Sequence, residues 1–205
     1  MHSHHQHLIA VDIASLRPTQ ISVGLAEVAE KRAQWQQLAP RERQQSLMHH
    51  WFPAVLGPGR DYYIIDHHHL GRALHEESVE QGWVMLLKDM SWLEPAVFWR
   101  TMEFHQWAHP YGEHGQRCDF SAIPPDVTGL RDDPYRSLVG FVRNAGGFAK
   151  DAAPFAEFLW ADYFRPHIQR GQLGHDREQA VQEAIRLARL PEARYLPGWS
   201  GTHHD

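Results

Sequence analysis

A chain of 205 residues, 42% hydrophobic and 22% charged, can bury the core of one domain or of one domain with a helical extension. No apolar run approaches the roughly 18 residues of a membrane helix, and the opening MHSHHQHLIA lacks the basic start and apolar stretch of a secretory signal. A formal charge of −5 argues against sequence-blind coating of DNA, and a single cysteine, Cys118, excludes an internal disulfide framework and suits a reducing cytoplasm.

In chain order, LIAVDI (8–13) reads as a short strand and LRPTQISVG as a proline-containing loop. Leu25, Val28, Ala29, Trp35 and Leu38 fall near helical spacing, and Pro40 permits a second helix start through RERQQSLMHHWF. FPAVLGPGRD reads as a strand and a Pro/Gly turn, YYIID (62–66) as a strand, HLGRALHEE as a helix and GWVMLLKDM as a further strand. After about residue 93 the pattern is helical. EPAVFWRTMEFHQWA carries aromatic residues at helical intervals. In DDPYRSLVGFVRNAGG, Asp133 can cap, Pro134 suits the first helical position, and Gly146 and Gly147 can end the helix. APFAEFLWADYFRPHI and HDREQAVQEAIRLARL complete the series. The expected class is α+β: a mixed sheet with helices over 1–92, and a helical extension over 93–205 packed on it as one compact unit. The eight tryptophans are expected as core or interface anchors, and the four histidines among the first seven residues carry no weight.

Candidate chemistry gathers in YYIIDHHHLGRAL (62–74), where a strand gives way to a helix beside one aspartate and three histidines. A helix N-terminus presents unpaired N–H groups and the positive end of its dipole, and so receives anions, phosphate above all. If the helix starts near His68, then Asp66, His67, His68 and His69 ring such a site, with imidazole N–H groups as donors to phosphate oxygens. Asp66 can hold a divalent cation or accept a hydroxyl proton, and Arg72 can lie near. The structural alternative is equally open: Asp66 caps a helix and the imidazoles pack or face water. Zinc is the weaker idea, since three successive histidines do not point one way. His105 and His109 are four apart with His114 close, but no HExxH carboxylate accompanies them and Pro110 ends the helix.

The segments LRPTQISVGLAEVAEK (16–31), YYIIDHHHLGRAL (62–74), DDPYRSLVGFVRNAGGF (132–148) and PFAEFLWADYFR (154–165) resemble, in this order, the ParB-like putative nuclease family, free-standing members of the ParB/sulfiredoxin fold superfamily. The resemblance implies a compact fold whose strand-to-helix corner binds nucleotide phosphates. Relatives include nucleotide-dependent kinases of a free amino acid, proteins that bind and hydrolyse CTP on DNA, and ATP-using sulfiredoxins. In the kinase relatives the corner reads D-G-H-H-R. Asp66, His68 and His69 match, while His67 stands at the glycine and Leu70 at the arginine. Cys118 does not match the sulfiredoxin cysteine.

Glu27 and Lys31, four apart, are either an ion pair on one helix face or, as the resemblance implies, a general base and a phosphate partner. Asp132, Asp133 and Arg136 are expected to cap and brace a helix. Glu157, Asp162 and Arg165 are expected to form an internal ion pair docking the helical half. The expected function is phosphoryl transfer or phosphodiester hydrolysis at the Asp66 corner. Glu27, Asp66 and His68 would be catalytic, and His67, His68, His69, Arg72 and Lys31 would bind phosphate. Mg²⁺ would sit at Asp66, and ATP, ADP or CTP are the nucleotides implied. The alternative is a non-catalytic DNA- or protein-binding module related to partition proteins; the charge does not favour DNA.

Overall fold

The computed structural model of the chain describes residues 8–201, so the first histidines lie outside the described residues. The main sheet has four strands: β1 (Leu8–Asp12), β3 (Phe52–Leu56), β4 (Tyr62–Ile64) and β5 (Gln81–Asp89), in the order β1-β5-β3-β4. β5 runs parallel to β3, and the two outer pairings are antiparallel. The proline of FPAVL lies where the β4 pairing ends, and its carbonyl still accepts the Ile65 N–H at 2.9 Å. A second, two-stranded parallel pair joins β2 (Ser22–Val23) to β6 (Arg131–Asp132), inside stretches whose sequence reads as loop.

The helices begin where their N-terminal signals stand. α1 (Leu25–Gln37) follows Gly24 and buries Val28 and Trp35. α2 (Pro40–His49) has proline at its first position, and Glu42 accepts the Ala39 N–H at 2.7 Å. α3 (His68–Glu76) packs Ala73 and Leu74 inward, and α4 (Pro95–Phe104) buries Phe98 and Met102. α5 (Pro134–Asn144) is capped by Asp133, whose carboxylate accepts from Tyr135 N–H at 3.1 Å. α6 (Ala156–Phe164), α7 (Arg170–His175) and α8 (Arg177–Ala188) close the chain; α7 was not legible as a separate helix.

Three apolar clusters hold these elements. One, with Phe52, Ile64, Leu74 and Val84, lies between the sheet and α1/α3. A smaller one, with Val55, Phe98 and Met102, lies under α4. The third is the core of the helical half, built around Trp160, Phe164, Leu138 and Ala184. α5 belongs to that third core but also packs on α1, and Gly24 permits the close approach: a side chain there would strike the backbone and hydroxyl of Ser137. Arg165 pairs with Asp133, 2.9 Å apart, and ties α6 to the head of α5, so this ion pair joins two elements of the helical half instead of docking that half onto the sheet as expected. Asp132 braces instead from β6, accepting the Leu25 N–H at 2.9 Å. Among the described residues no helix is long and apolar enough to cross a membrane.

Candidate active site at the head of α3

The chain leaves β4 and enters α3 through His67, which has left-handed backbone angles, φ 63 and ψ 26. Glycine adopts this conformation freely and histidine does not, so the resemblance's glycine has a backbone reason that His67 meets at some strain. Asp66 Oδ1 accepts the His67 N–H at 2.6 Å. No side chain caps α3, and its first intrahelical backbone bond is made by Gly71 N–H to the His67 carbonyl. The amides of His68, His69 and Leu70 therefore have no acceptor among the described residues.

Two of the three imidazoles do not donate as expected. His68 is 4% exposed, and its Nε2 accepts the Thr19 N–H at 3.1 Å. His69 Nε2 accepts the Gly24 N–H at 3.0 Å. A ring nitrogen that accepts from an amide carries no proton, so both rings are neutral, with the proton on Nδ1. Burial holds the His68 imidazole well below the ordinary histidine range, helped by His69 and Arg136. Burial likewise lowers His69 to about 4, against the opposing pull of Glu27. The two rings pin the 19–24 segment against the head of α3. Nε2 of both rings is thus taken by that segment, and the backbone amides of the first turn stand beside them as unengaged donors. His67 donates Nδ1–H to the Trp51 carbonyl at 3.0 Å and remains part-exposed.

Two clefts open at this corner, of about 480 and 610 Å³. Glu27, Lys31, His67 and His69 line the larger one, together with Asp66. There Glu27 is 3.5 Å from both Lys31 Nζ and His69 Nε2, and its Oε2 is buried with no hydrogen-bond donor among the described residues. Asp66 and His68 also line the smaller cleft, facing Arg136, Phe155 and Trp107. Arg143, Lys150 and Glu157 border both. Arg72 is not brought to the corner: it pairs with Glu76 at 2.5 Å and donates to the carbonyls of Val127 and Thr128, outside either cleft.

The expected bracing role of Arg136 is only partly met. It is 3% exposed on α5, stacked 3.7 Å over the Phe158 ring, and touches Glu157 at 3.4 Å. Arg143 takes the other oxygen of Glu157. Burial works to raise the Glu157 carboxyl, but Arg136, His69 and Arg143 outweigh it and hold it below the usual range. A sequence signal for this wall exists: Arg136, Gly140 and Arg143 share one helical face at i, i+4 and i+7, distinct from the apolar face of Leu138, Val139 and Val142.

A magnesium ion at Asp66 would rest on that one carboxylate, with waters and ligand phosphates completing its shell. Asp66 is exposed, and no group of three His, Cys, Asp or Glu residues able to hold a metal occurs among the described residues. His105, His109 and His114 are likewise not gathered. His105 stacks on Trp107 at 4.4 Å, while His109 stacks on Tyr111 at 4.1 Å and on Phe155 at 4.4 Å. Burial first, and Arg136 second, lower His109 to about 3.

A mixed sheet that delivers its strand into an uncapped, histidine-lined helix head, faced by a helical half, defines an α+β protein of the ParB/sulfiredoxin kind. The chain belongs to the ParB-like nuclease family: the description "Putative ParB-like nuclease" matches residues 9–166. It is similar to a solved structure described as the crystal structure of protein Atu1540 from Agrobacterium tumefaciens, at 41% identity and a TM-score of 0.88, over 96% of this chain and 100% of that one. No curated protein matches the chain.

Proposed function

We propose that the chain binds a phosphate-bearing ligand, a nucleotide or phosphodiester, at the head of α3 and transfers or hydrolyses that phosphate. The observation that carries this reading is the first turn of α3, whose three amides have no acceptor among the described residues at a corner bordered by both clefts, near Glu27, whose Oε2 has no donor among the described residues. Glu27 acts as general base. It takes a proton from water or from a ligand hydroxyl; that oxygen attacks phosphorus, and the bond from phosphorus to the leaving oxygen breaks, the leaving oxygen taking its electron pair and a proton from solvent. The amides and Lys31 hold the charge that develops on the phosphoryl oxygens. His68 and His69 position this machinery by fixing the 19–24 segment. The aromatic wall of Trp107 and Phe155 in the adjoining cleft suits the base of ATP, ADP or CTP. The cytoplasm suits the reading, since Cys118 is free.

Thermal denaturation with ATP, ADP and CTP, and nicking of plasmid DNA, test it. A ligand at a hundred times its Kd stabilises by about 2.7 kcal/mol. Glu27→Gln is expected to keep that stabilisation and lose turnover. Stabilisation by no phosphate compound, or turnover indifferent to Glu27→Gln, contradicts the assignment. Salt-sensitive DNA retention without turnover would favour the binding-module alternative.

A further inference from the structure

Among the buried charged groups of the described residues, Arg136 has the most side-chain atoms without a partner. Its residue is 3% exposed, yet Nε and Nη1, which carry three of the five guanidinium N–H groups, have no acceptor among the described residues. Only Nη2 is engaged, by a Glu157 carboxylate that Arg143 also claims. One carboxylate thus answers two guanidinium groups. A buried cation left short of partners is costly, and arginines that serve structure alone normally have their donors filled. Phe158 covers one face of the Arg136 guanidinium, whose Nε and Nη1 are buried in the wall of the cleft of about 480 Å³ that Arg136 lines with Asp66 and His68. That cleft also holds two strained residues, Phe155 with φ 59 and Gln106 with φ 56. The field agrees with the geometry. Burial lowers His68, His69 and His109, and in each Arg136 pushes the same way.

We propose that Arg136 is an oxyanion receptor, holding a phosphate group of the ligand from the helical half of the chain, across the cleft from the head of α3. Arg143 and Lys150 border the same space and add positive charge at its edge. The site is then built from both halves of the polypeptide, with Glu157 as the counter-charge that fixes the arginine between ligands. The choice of phosphate rests on the reading of the α3 head. The receptor itself rests on Arg136 alone and would accept a carboxylate group, the other common oxyanion.

The test titrates the full chain at constant ionic strength with inorganic phosphate, pyrophosphate and, in a separate arm, malonate, following heat and melting temperature. Phosphate or pyrophosphate is expected to bind the wild type. Arg136→Met should weaken that binding about ten- to a hundredfold, the size of a lost charge-assisted contact. Arg136→Lys should weaken it by about tenfold, because an ammonium does not reproduce the guanidinium's donors. Glu157→Gln should tighten it, which guards against an Arg136→Met protein that fails to fold. Phosphate should also move the His109 ring resonances as the opposing charge is neutralised. Equal affinity in wild type, Arg136→Lys and Glu157→Gln overturns the receptor while leaving the α3-head reading intact. Malonate binding that Arg136→Met abolishes, without phosphate binding, upholds the receptor and overturns phosphate as its ligand. Binding of none of the three anions overturns both.

Discussion

Replacing His69 by glutamine keeps an acceptor for the Gly24 N–H but removes a titrating ring from the site. Burial lowers His69 in the folded protein from 6.5 to about 4, with Glu27 opposing and Arg136 reinforcing the shift. The unfolded chain therefore takes up a proton near pH 6.5, and the folded chain only near pH 4. The stability tied to the neutral ring is fully present above pH 6.5 and is lost as pH falls towards 4. At about 1.4 kcal/mol per pH unit, the loss over that window is about 3 kcal/mol. Urea titrations of wild type and His69→Gln at half-unit steps from pH 7.5 to 4 isolate this contribution. Other groups titrate in both proteins and drop out of the difference. The wild type is expected to lose about 3 kcal/mol more than the variant across the window. A difference that stays constant from pH 7 to 4 refutes a buried, neutral His69 and, with it, the account of how the 19–24 segment is held.

Trp160→Ala, at the 0%-exposed centre of the helical core, should cost about 3–5 kcal/mol by chemical denaturation. Asp133→Ala removes the cap of α5 and strands Arg165, and should cost roughly 2–4 kcal/mol in the same assay. Gly140→Ala would bring a methyl group within 2.8 Å of Glu27 Oε2, the movable end of a side chain. Stability should change by less than about 1 kcal/mol while turnover drops; unchanged turnover would mean that the seat of Glu27 does not matter.

Much of this fold is legible because its signals are local. Proline opens α2, α4 and α5, Asp133 caps, and alternating or aromatic runs mark the strands. The Asp66 corner is legible for the same reason, since a polar cluster between a strand and a helix can be seen within a dozen residues. The roles of its histidines are not, because they depend on partners 45 to 49 residues away: His68 meets Thr19, and His69 meets Gly24. The β2–β6 pair escapes notice because two residues carry no periodicity and their partners lie in the opposite half of the chain. Arg136 reads as a bracing residue beside a well-formed cap, and its shortage of partners exists only once Phe158 and Glu157 are folded around it. Arg72, near the corner in sequence, is drawn off by Glu76 and the 127–128 carbonyls because its position on α3 faces away from the helix head.

We propose above that the first turn of α3 holds phosphate through its backbone. The most direct measurement is a titration of isotope-labelled protein with pyrophosphate, following the amide resonances of His68, His69 and Leu70. These three are expected to shift together along one saturating curve, ahead of amides elsewhere in the chain. Saturable binding that leaves all three unmoved would contradict it.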